Sequence, residues 1–217
     1  MAKAKRGPKE RLTREVLVAT ALRIADAEGL DALSMRRLGS ELNVDPMAAY
    51  RHLPNKKALL TGIVEEVLAD ADVETSDRDP WQEQFLQIAR AYHEAMTSHS
   101  PAISRLVATT PYNSVESLRI VEHGAAVLVE AGIPIEDAAV AIQAVGQIAT
   151  GAVLLEAFWR EHAQAGGQVY LYPPSLPNHE LPVLSAVAES GGFRTPQDVF
   201  EFGLKAIVEH LEALIAL

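Results

Sequence analysis

The segment 33–60, LSMRRLGSELNVDPMAAYRHLPNKKALL, constrains the fold of this chain more than any other stretch. It has the pattern of two short helices, a tight turn and the start of a further helix. Ser34 and Asp45 are residue types favoured at helix N-caps, and Pro46 fits the first helical position because its missing N–H costs nothing there. Residues 43–45 are long enough only for a turn, so the segment predicts a helix-turn-helix motif.

The side chains of this segment divide into an apolar set and a polar set. The apolar set recurs at helical spacing and can lock the two helices together. Its members are Met35, Leu38, Leu42, Val44, Ala49 and Leu53. The polar set is left for the surface and consists of Arg36, Arg37, Arg51, His52, Lys56 and Lys57, with Tyr50 beside them. A cationic surface on a helix-turn-helix is typical of a protein that reads DNA.

The distribution of charge supports this interpretation, although the net charge of −10 taken alone argues against a nucleic-acid partner. Residues 1–60 hold 12 Lys and Arg against 7 Asp and Glu, whereas residues 61–217 hold 7 against 22. A basic N-terminal part can approach phosphates while the acidic remainder is repelled by them, which helps to orient docking.

Composition excludes several other classes. The chain has no cysteine, which excludes disulfides, thiolate catalysis and Cys-ligated zinc. The N-terminal residues MAKAKRGPKERL lack the apolar core of a signal peptide. The stretch 138–155 resembles a membrane span but is interrupted by Gln143, Gln147 and Thr150, so we expect a buried helix of a soluble protein. The expected location is the cytoplasm, with no membrane partner.

The remaining periodicity is helical, and the expected fold class is all-α. We expect a basic flexible arm at residues 1–12 and a three-helix helix-turn-helix domain at 13–73, which includes a linking helix at 55–73. A second helical domain at 79–217 is expected to follow a polar boundary.

Two helices of the second domain, at about 134–162 and 196–217, are apolar on more than one face. A surface helix needs only one apolar face, so a second one predicts burial against another subunit. Gly146 and Gly151 would permit a close approach between helices. These two helices from each of two subunits would form the four-helix interface of a homodimer.

Residues 13–67 resemble the DNA-binding domain of the tetracycline-repressor (TetR) family of bacterial transcription regulators. The most specific part is AAYRHLPNKKALL, which is similar to the family's junction between the recognition helix and the fourth helix. The stretches DPWQEQFLQIARAYHEAM and FEFGLKAIVEHLE and the helix start Gly132-Ile133-Pro134 are similar to the C-terminal domain of the tetracycline repressor's own branch. The resemblance implies a homodimeric repressor that leaves a palindromic double-stranded operator when a small-molecule effector binds.

The resemblance also implies which positions contact DNA. Arg36 matches a second-helix side chain that reaches a base or a phosphate, and Lys56 matches a lysine at the start of the fourth helix. The start of the recognition helix can contact thymine methyls. The full DNA-contacting set is Arg36, Pro46, Met47, Ala48, Tyr50, Arg51, His52 and Lys56.

An effector pocket needs an apolar and aromatic lining with a few polar groups. The candidates in the second domain are Trp81, Phe85, Tyr92, His93, Met96, Tyr112, His123, Gln143, Gln147, Phe158 and Trp159. For each of them, an ordinary core position is the alternative. His93, His99 and His123 have no metal-ligand spacing on a single helix, so we expect no metal, no cofactor and no metal-assisted effector binding.

Two other functions stay open at this point. The first is a DNA-binding protein of the same fold whose pocket is filled by its own side chains and which senses nothing. The second is an all-helical enzyme, which is improbable because no di-metal Glu-x-x-His pair, nucleophile elbow, dinucleotide fingerprint or phosphate-binding loop is present.

Overall fold

The computed structural model describes residues 12–71, 73–112, 114–164, 180–190 and 194–216, apart from the side chains at 116, 117 and 164. Within these ranges the chain forms ten α-helices and no β-strand, which confirms the all-α class. The helices are α1 (Arg14–Glu28), α2 (Met35–Leu42), α3 (Pro46–Tyr50), α4 (Lys56–Ala69), α5 (Trp81–Thr97), α6 (Pro101–Thr109), α7 (Val115–Glu130), α8 (Ile135–Gln164), α9 (Pro182–Glu189) and α10 (Pro196–Ile215).

Side-chain caps begin the first four helices, and those at Ser34 and Asp45 stand where the sequence predicted them. Each cap oxygen accepts a backbone N–H of the first turn: Thr13 from Val16 at 3.3 Å, Ser34 from Arg37 at 3.1 Å, Asp45 from Met47 at 2.8 Å and Asn55 from Ala58 at 2.8 Å. Residues 1–11 of the expected arm lie outside the described ranges, and the domain limits remain predictions.

The core of the N-terminal part forms where α1 packs along α4. Leu17 and Ile24 of α1 and Ile63 of α4 are fully buried, and burying each such side chain contributes about 1.5–3 kcal/mol. Gly62 lets the two helices approach, because a Cβ there would lie 2.6 Å from Cγ2 of Val18. The position of α4 is therefore fixed to the helix that supports the helix-turn-helix.

The centre of the C-terminal part is α8, which packs against α5, α6, α7 and α10. The buried side chains of α10 include Phe200, Leu204 and Leu211. A Cβ on Gly203 of α10 would lie 2.8 Å from Cδ1 of Ile148 on α8. These two helices are thus closely packed within one chain.

The described part of the chain has one helix, Ile135–Ala163, that is long and apolar enough to cross a membrane, with a mean hydropathy of 1.8 in its most apolar window. Only 33% of that window is buried. One face of α8 is therefore buried within the chain and the other is exposed, and burial of the second face against another subunit stays a prediction. The exposed face repeats at helical spacings of three, four and seven residues through Val140, Gln143, Gln147, Gly151 and Phe158.

The N-terminal and C-terminal parts meet where α4 packs on α7 and α1 packs on α6. Asp26 of α1 accepts hydrogen bonds from the amide of Ser100 at 2.9 Å and from Nδ1 of His99 at 2.7 Å. Burial alone would raise the pKa of Asp26, but these hydrogen bonds outweigh it and hold the pKa below its ordinary value. Arg160 of α8 donates to the carbonyl oxygens of Thr97 and His99 at 3.1 and 2.8 Å, which ties α8 to the same turn.

Candidate DNA interface and effector cavity

The turn between α2 and α3 has the close backbone approach of a helix-turn-helix. Asn43 ends α2 in the left-handed conformation, with φ of 53°, which asparagine tolerates better than most residues. The amide of Val44 donates to the carbonyl oxygen of Gly39 at 2.9 Å. A Cβ on Gly39 would lie 3.0 Å from the carbonyl oxygen of Val44 and 3.3 Å from Cα of Pro46, so a glycine is needed where the turn folds back.

The short helix α3 has a buried side and an exposed side. Ala49 is fully buried, whereas Met47 and Tyr50 are 66% and 42% exposed. Residues three and four apart share a helix face, so Met47, Tyr50 and Arg51 project together, away from Ala49. Arg51 is the C-cap, and His52 lies exposed in the turn that follows. The structure thus brings an apolar, an aromatic and a cationic side chain onto one solvent-facing surface.

Arg36 and Arg37 are neighbours on α2 with different surroundings. Arg37 donates to Glu28 from Nε and Nη2 at 3.2 and 2.6 Å, and to Glu41 from Nη1 at 2.7 Å. These hydrogen bonds raise the pKa of Arg37 and lower that of Glu28. Arg36 is exposed and makes no hydrogen bond or ion pair with any residue that the structure describes. Of the two, Arg36 is the guanidinium available to DNA.

The other predicted DNA contacts lie near the ends of α3 and α4. Pro46 and Ala48 are half-buried in the first turn of α3, and Lys56 is exposed at the first position of α4. Nζ of Lys56 is 3.5 Å from the carbonyl oxygen of Leu30. A lysine here opposes the helix dipole, but its ammonium and the unbonded amides of the first turn can hold one phosphate together.

A cavity of about 90 Å³ lies between α5, α7 and α8 in the C-terminal part. Its lining is Phe85, Ile88, Ala89, Tyr92, Tyr112, Ile120, Val121, Ile142, Val145 and Gly146. The cavity borders α7, and α7 packs on α4. A ligand that displaces α7 would therefore act on the helix that follows the helix-turn-helix.

Two tyrosines form the polar part of this lining. The hydroxyls of Tyr92 and Tyr112 are 2.5 Å apart and share a hydrogen bond. The two rings meet edge to face, with centroids 6.4 Å apart and planes at 84°. Burial raises the pKa of both phenols, so both are neutral at physiological pH.

Three of the predicted effector residues line the cavity, namely Phe85, Tyr92 and Tyr112. Three others, Gln143, Gln147 and Phe158, lie outside this cavity on the exposed face of α8, because the helix turns its Ile142 and Val145 side toward the cavity. Their part in effector binding stays a prediction. The remaining five lie elsewhere in the C-terminal part: Trp81, His93, Met96, His123 and Trp159.

His93 is a core residue of α5 that faces α10. It is 4% exposed, and its ring stacks on Phe200 with centroids 4.5 Å apart. Burial lowers the pKa of His93, while the charges of Glu156 and Glu201 act in the opposite direction. His123 instead lies 3.1 Å from the hydroxyl of Thr75. Among the described residues, no group of three His, Asp or Glu side chains could hold a metal ion.

Sequence reasoning missed the aliphatic part of the cavity, which includes Ile88, Ile120, Ile142, Val145 and Gly146. Only aromatic and polar residues stand out by type, because aliphatic residues at helical spacing have the same pattern in a core as in a cavity wall. Gly146 lines the cavity, and a Cβ there would meet no atom within 4 Å in the same chain. Its expected part in a close approach between subunits stays a prediction.

Family models match both parts of the chain. Residues 17–63 match bacterial regulatory proteins of the tetR family, and residues 75–215 match the tetracyclin repressor-like C-terminal domain. The tetracycline repressor protein class A from transposon 1721 of Escherichia coli is 28% identical over 204 residues, which cover 93% of this chain and 91% of that protein.

Solved structures agree with the family models. The Streptomyces coelicolor TetR family protein ActR in complex with actinorhodin superposes with a TM-score of 0.79 and 30% identity, over 93% of this chain and 96% of ActR. BioQ with its natural double-stranded DNA operator superposes with a TM-score of 0.64 and 27% identity, over 93% and 98%. The C-terminal model alone spans more than half of the sequence, and the N-terminal model covers the helix-turn-helix; the chain belongs to the TetR family of bacterial transcription regulators.

Proposed function

We propose that this protein is a cytoplasmic, homodimeric transcriptional repressor that binds a palindromic operator through α2 and α3. A small-molecule effector binds the cavity between α5, α7 and α8 and releases the DNA. The observation that carries the proposal is the exposed face of α3 beside the uncommitted guanidinium of Arg36. Relatives of known structure that bind operator DNA and a small molecule support the two halves of this function.

In the proposed complex, α3 of each subunit enters the major groove, and the two half-sites lie one helical turn apart, roughly 34–36 Å. Met47, with Pro46 and Ala48 beside it, offers apolar contact to thymine methyls. The cationic and hydrogen-bonding groups around them position the protein on phosphates and read base edges. These groups are Arg36, Tyr50, Arg51, His52 and Lys56.

The proposed dimer pairs the exposed faces of α8 and α10. On α8 this face includes Val140 and Phe158, and on α10 it includes Val199 and Phe202, which is 75% exposed. Apolar side chains exposed on two adjacent helices are of the kind that a partner covers. Two copies of this pair make a four-helix interface.

The proposed release follows from packing. The effector enters between α5, α7 and α8, α7 shifts against α4, and the separation of the two helix-turn-helix motifs changes. The effector needs only to prefer the conformation that does not fit the operator. Each tenfold loss of DNA affinity requires about 1.4 kcal/mol of differential binding.

A DNA-binding regulator without an effector is the second candidate. The cavity of about 90 Å³ favours it, because pockets for drug-sized ligands measure roughly 300–1,000 Å³. Since the relatives are transcription regulators, we propose no enzymatic activity.

The test begins by selecting bound duplexes from a random DNA library with the purified chain. Compounds are then screened for release of the selected operator, measured by fluorescence anisotropy. We expect a palindromic site and at least one releasing compound. Gly146→Leu, which fills the cavity, should keep operator binding and lose release. A palindrome with no releasing compound would support the second candidate, and failure to select any DNA would contradict both.

A further inference from the structure

The cavity between α5, α7 and α8 offers almost no polar chemistry. Among its ten described lining residues, none is charged, and the side-chain polar atoms are the hydroxyls of Tyr92 and Tyr112. Transfer of an ionised group into such surroundings without a partner costs far more than transfer of a neutral one. The lining therefore disfavours carboxylates, ammonium groups and chelated divalent cations.

The tyrosine pair leaves one hydrogen-bond donor unused. Each phenol has one proton and can also accept. Since the hydroxyls lie 2.5 Å apart, one proton is shared between them and the other is free, whichever tyrosine donates. A carbonyl or ether oxygen in the cavity can accept the free proton without breaking the pair.

We propose that the cavity takes an uncharged, apolar molecule with one hydrogen-bond-accepting oxygen, and that the Tyr92–Tyr112 pair supplies the donor that recognises it. This proposal rests on the cavity being the effector site of the proposed function. It assigns the two tyrosines as the specificity-determining residues of that site. The aliphatic and phenylalanine walls bind the body of the molecule through apolar contact.

The size of the cavity limits which probes are suitable. A void of 150 Å³ holds benzene in another protein, so a cavity of about 90 Å³ calls for small cyclic probes. Cyclopentanone is a small cyclic molecule with one acceptor oxygen. Methylenecyclopentane has the same shape with CH₂ in place of that oxygen, and cyclopentanecarboxylate adds a charge.

The experiment measures the dissociation constants of the three probes by ligand-observed NMR, with the full chain and no DNA. The informative quantity is the affinity of the ketone relative to the olefin, compared between the wild type and the double variant Tyr92→Phe/Tyr112→Phe. This comparison cancels the cost of removing the ketone from water. A neutral hydrogen bond contributes about 0.5–1.5 kcal/mol, so the ratio should fall about two- to tenfold in the double variant.

The single variants test the same donor without removing both hydroxyls. Tyr92→Phe and Tyr112→Phe each leave one phenol with a free proton, so each should keep the ratio within about twofold of the wild type. Thr109→Val removes a hydroxyl from an exposed position of α6 outside the cavity lining, and as the matched control it should leave the ratio unchanged. Gly146→Ala should weaken both neutral probes alike, because it adds a methyl group to the cavity wall where no atom lies within 4 Å.

An unchanged ratio in the double variant, or loss of the whole preference in both single variants, would overturn the proposal. Binding of cyclopentanecarboxylate as tight as that of cyclopentanone would also overturn it. These measurements need no operator, so they separate the two claims. A selective cavity whose ligands never release DNA would leave this inference standing and remove the effector from the proposed function.

Discussion

At the scale of single residues, Arg36 and Arg37 have the same side chain but different roles: we assign Arg36 to DNA binding and Arg37 to stability. Arg37 is held by Glu28 and Glu41, whereas Arg36 extends into solvent. We expect Arg36→Ala to weaken operator binding about tenfold and to leave the melting temperature unchanged. Arg37→Ala should lower the melting temperature and affect DNA binding less. Anisotropy titrations and thermal unfolding measure both effects, and the reverse pattern would refute this assignment of the docking face.

The burial of His93 predicts how the stability of the protein depends on pH. Its pKa is lowered by burial in the folded protein, while in the unfolded chain it stays near 6.5. The unfolded state therefore binds the extra proton first, and the contribution of His93 to stability is complete above pH 6.5 and is lost as the pH falls below it. His93→Phe should reduce the fall in the free energy of unfolding between pH 7.5 and 5.5, measured with urea. The exposed control His52→Gln should leave that fall as in the wild type. Equal falls in all three proteins would contradict the buried, neutral assignment.

At the scale of elements, the unit formed by α2, the turn and α3 depends on Gly39. A Cβ there would meet backbone atoms of Val44 and Pro46 at 3.0 and 3.3 Å, and such atoms move only if the turn moves. We expect Gly39→Ala to destabilise the protein by about 1–3 kcal/mol and to weaken operator binding. Gly146→Ala is the matched control, because its Cβ has open space and alanine favours a helix by about 1 kcal/mol. Thermal unfolding compares the two, and equal stability of both variants would contradict the close approach at the turn.

At the scale of elements, the sequence predicts the N-terminal helices well and the cavity only in part. Ser34 and Asp45 were predictable as caps because a cap depends on a few neighbouring residues, and α2 and α3 followed from them. The cavity was only partly predictable. Phe85, Tyr92 and Tyr112 stood out by residue type, whereas the aliphatic wall depends on how three distant helices pack. Gln143 and Gln147 also stood out by residue type, but they lie outside the cavity on the exposed face of α8, because helical periodicity alone does not show which face packs against which neighbour.

At the scale of the whole molecule, the exposed faces of α8 and α10 lead to a prediction about assembly. Phe202 is 75% exposed in one chain, and the proposed dimer buries it. Phe202→Glu should shift the protein toward monomer in sedimentation experiments and weaken operator binding, since an unpaired buried carboxylate is costly. Leu118→Glu, at an exposed position of α7, is the matched control and should stay dimeric. A Phe202→Glu variant that remains a dimer would place the interface elsewhere.

The unequal distribution of charge along the chain also acts at this scale. A body with 22 acidic side chains is repelled by phosphate, so binding must come from the basic N-terminal part. Neutralised phosphates release counterions, which makes the logarithm of affinity fall linearly with the logarithm of salt concentration. The slope of this line is proportional to the number of phosphates that the protein neutralises. A smaller slope in a variant therefore shows that the substituted residue contacts a phosphate.

The most direct test of this account is the salt dependence of operator binding for the wild type, Lys56→Ala and Lys205→Ala. Both variants lose one positive charge, but Lys56 lies at the start of α4 beside the helix-turn-helix and Lys205 lies exposed on α10. We expect Lys56→Ala to reduce the magnitude of the slope by about 1 and Lys205→Ala to leave it unchanged. Equal slopes for all three proteins, or no binding to DNA at low salt, would contradict it.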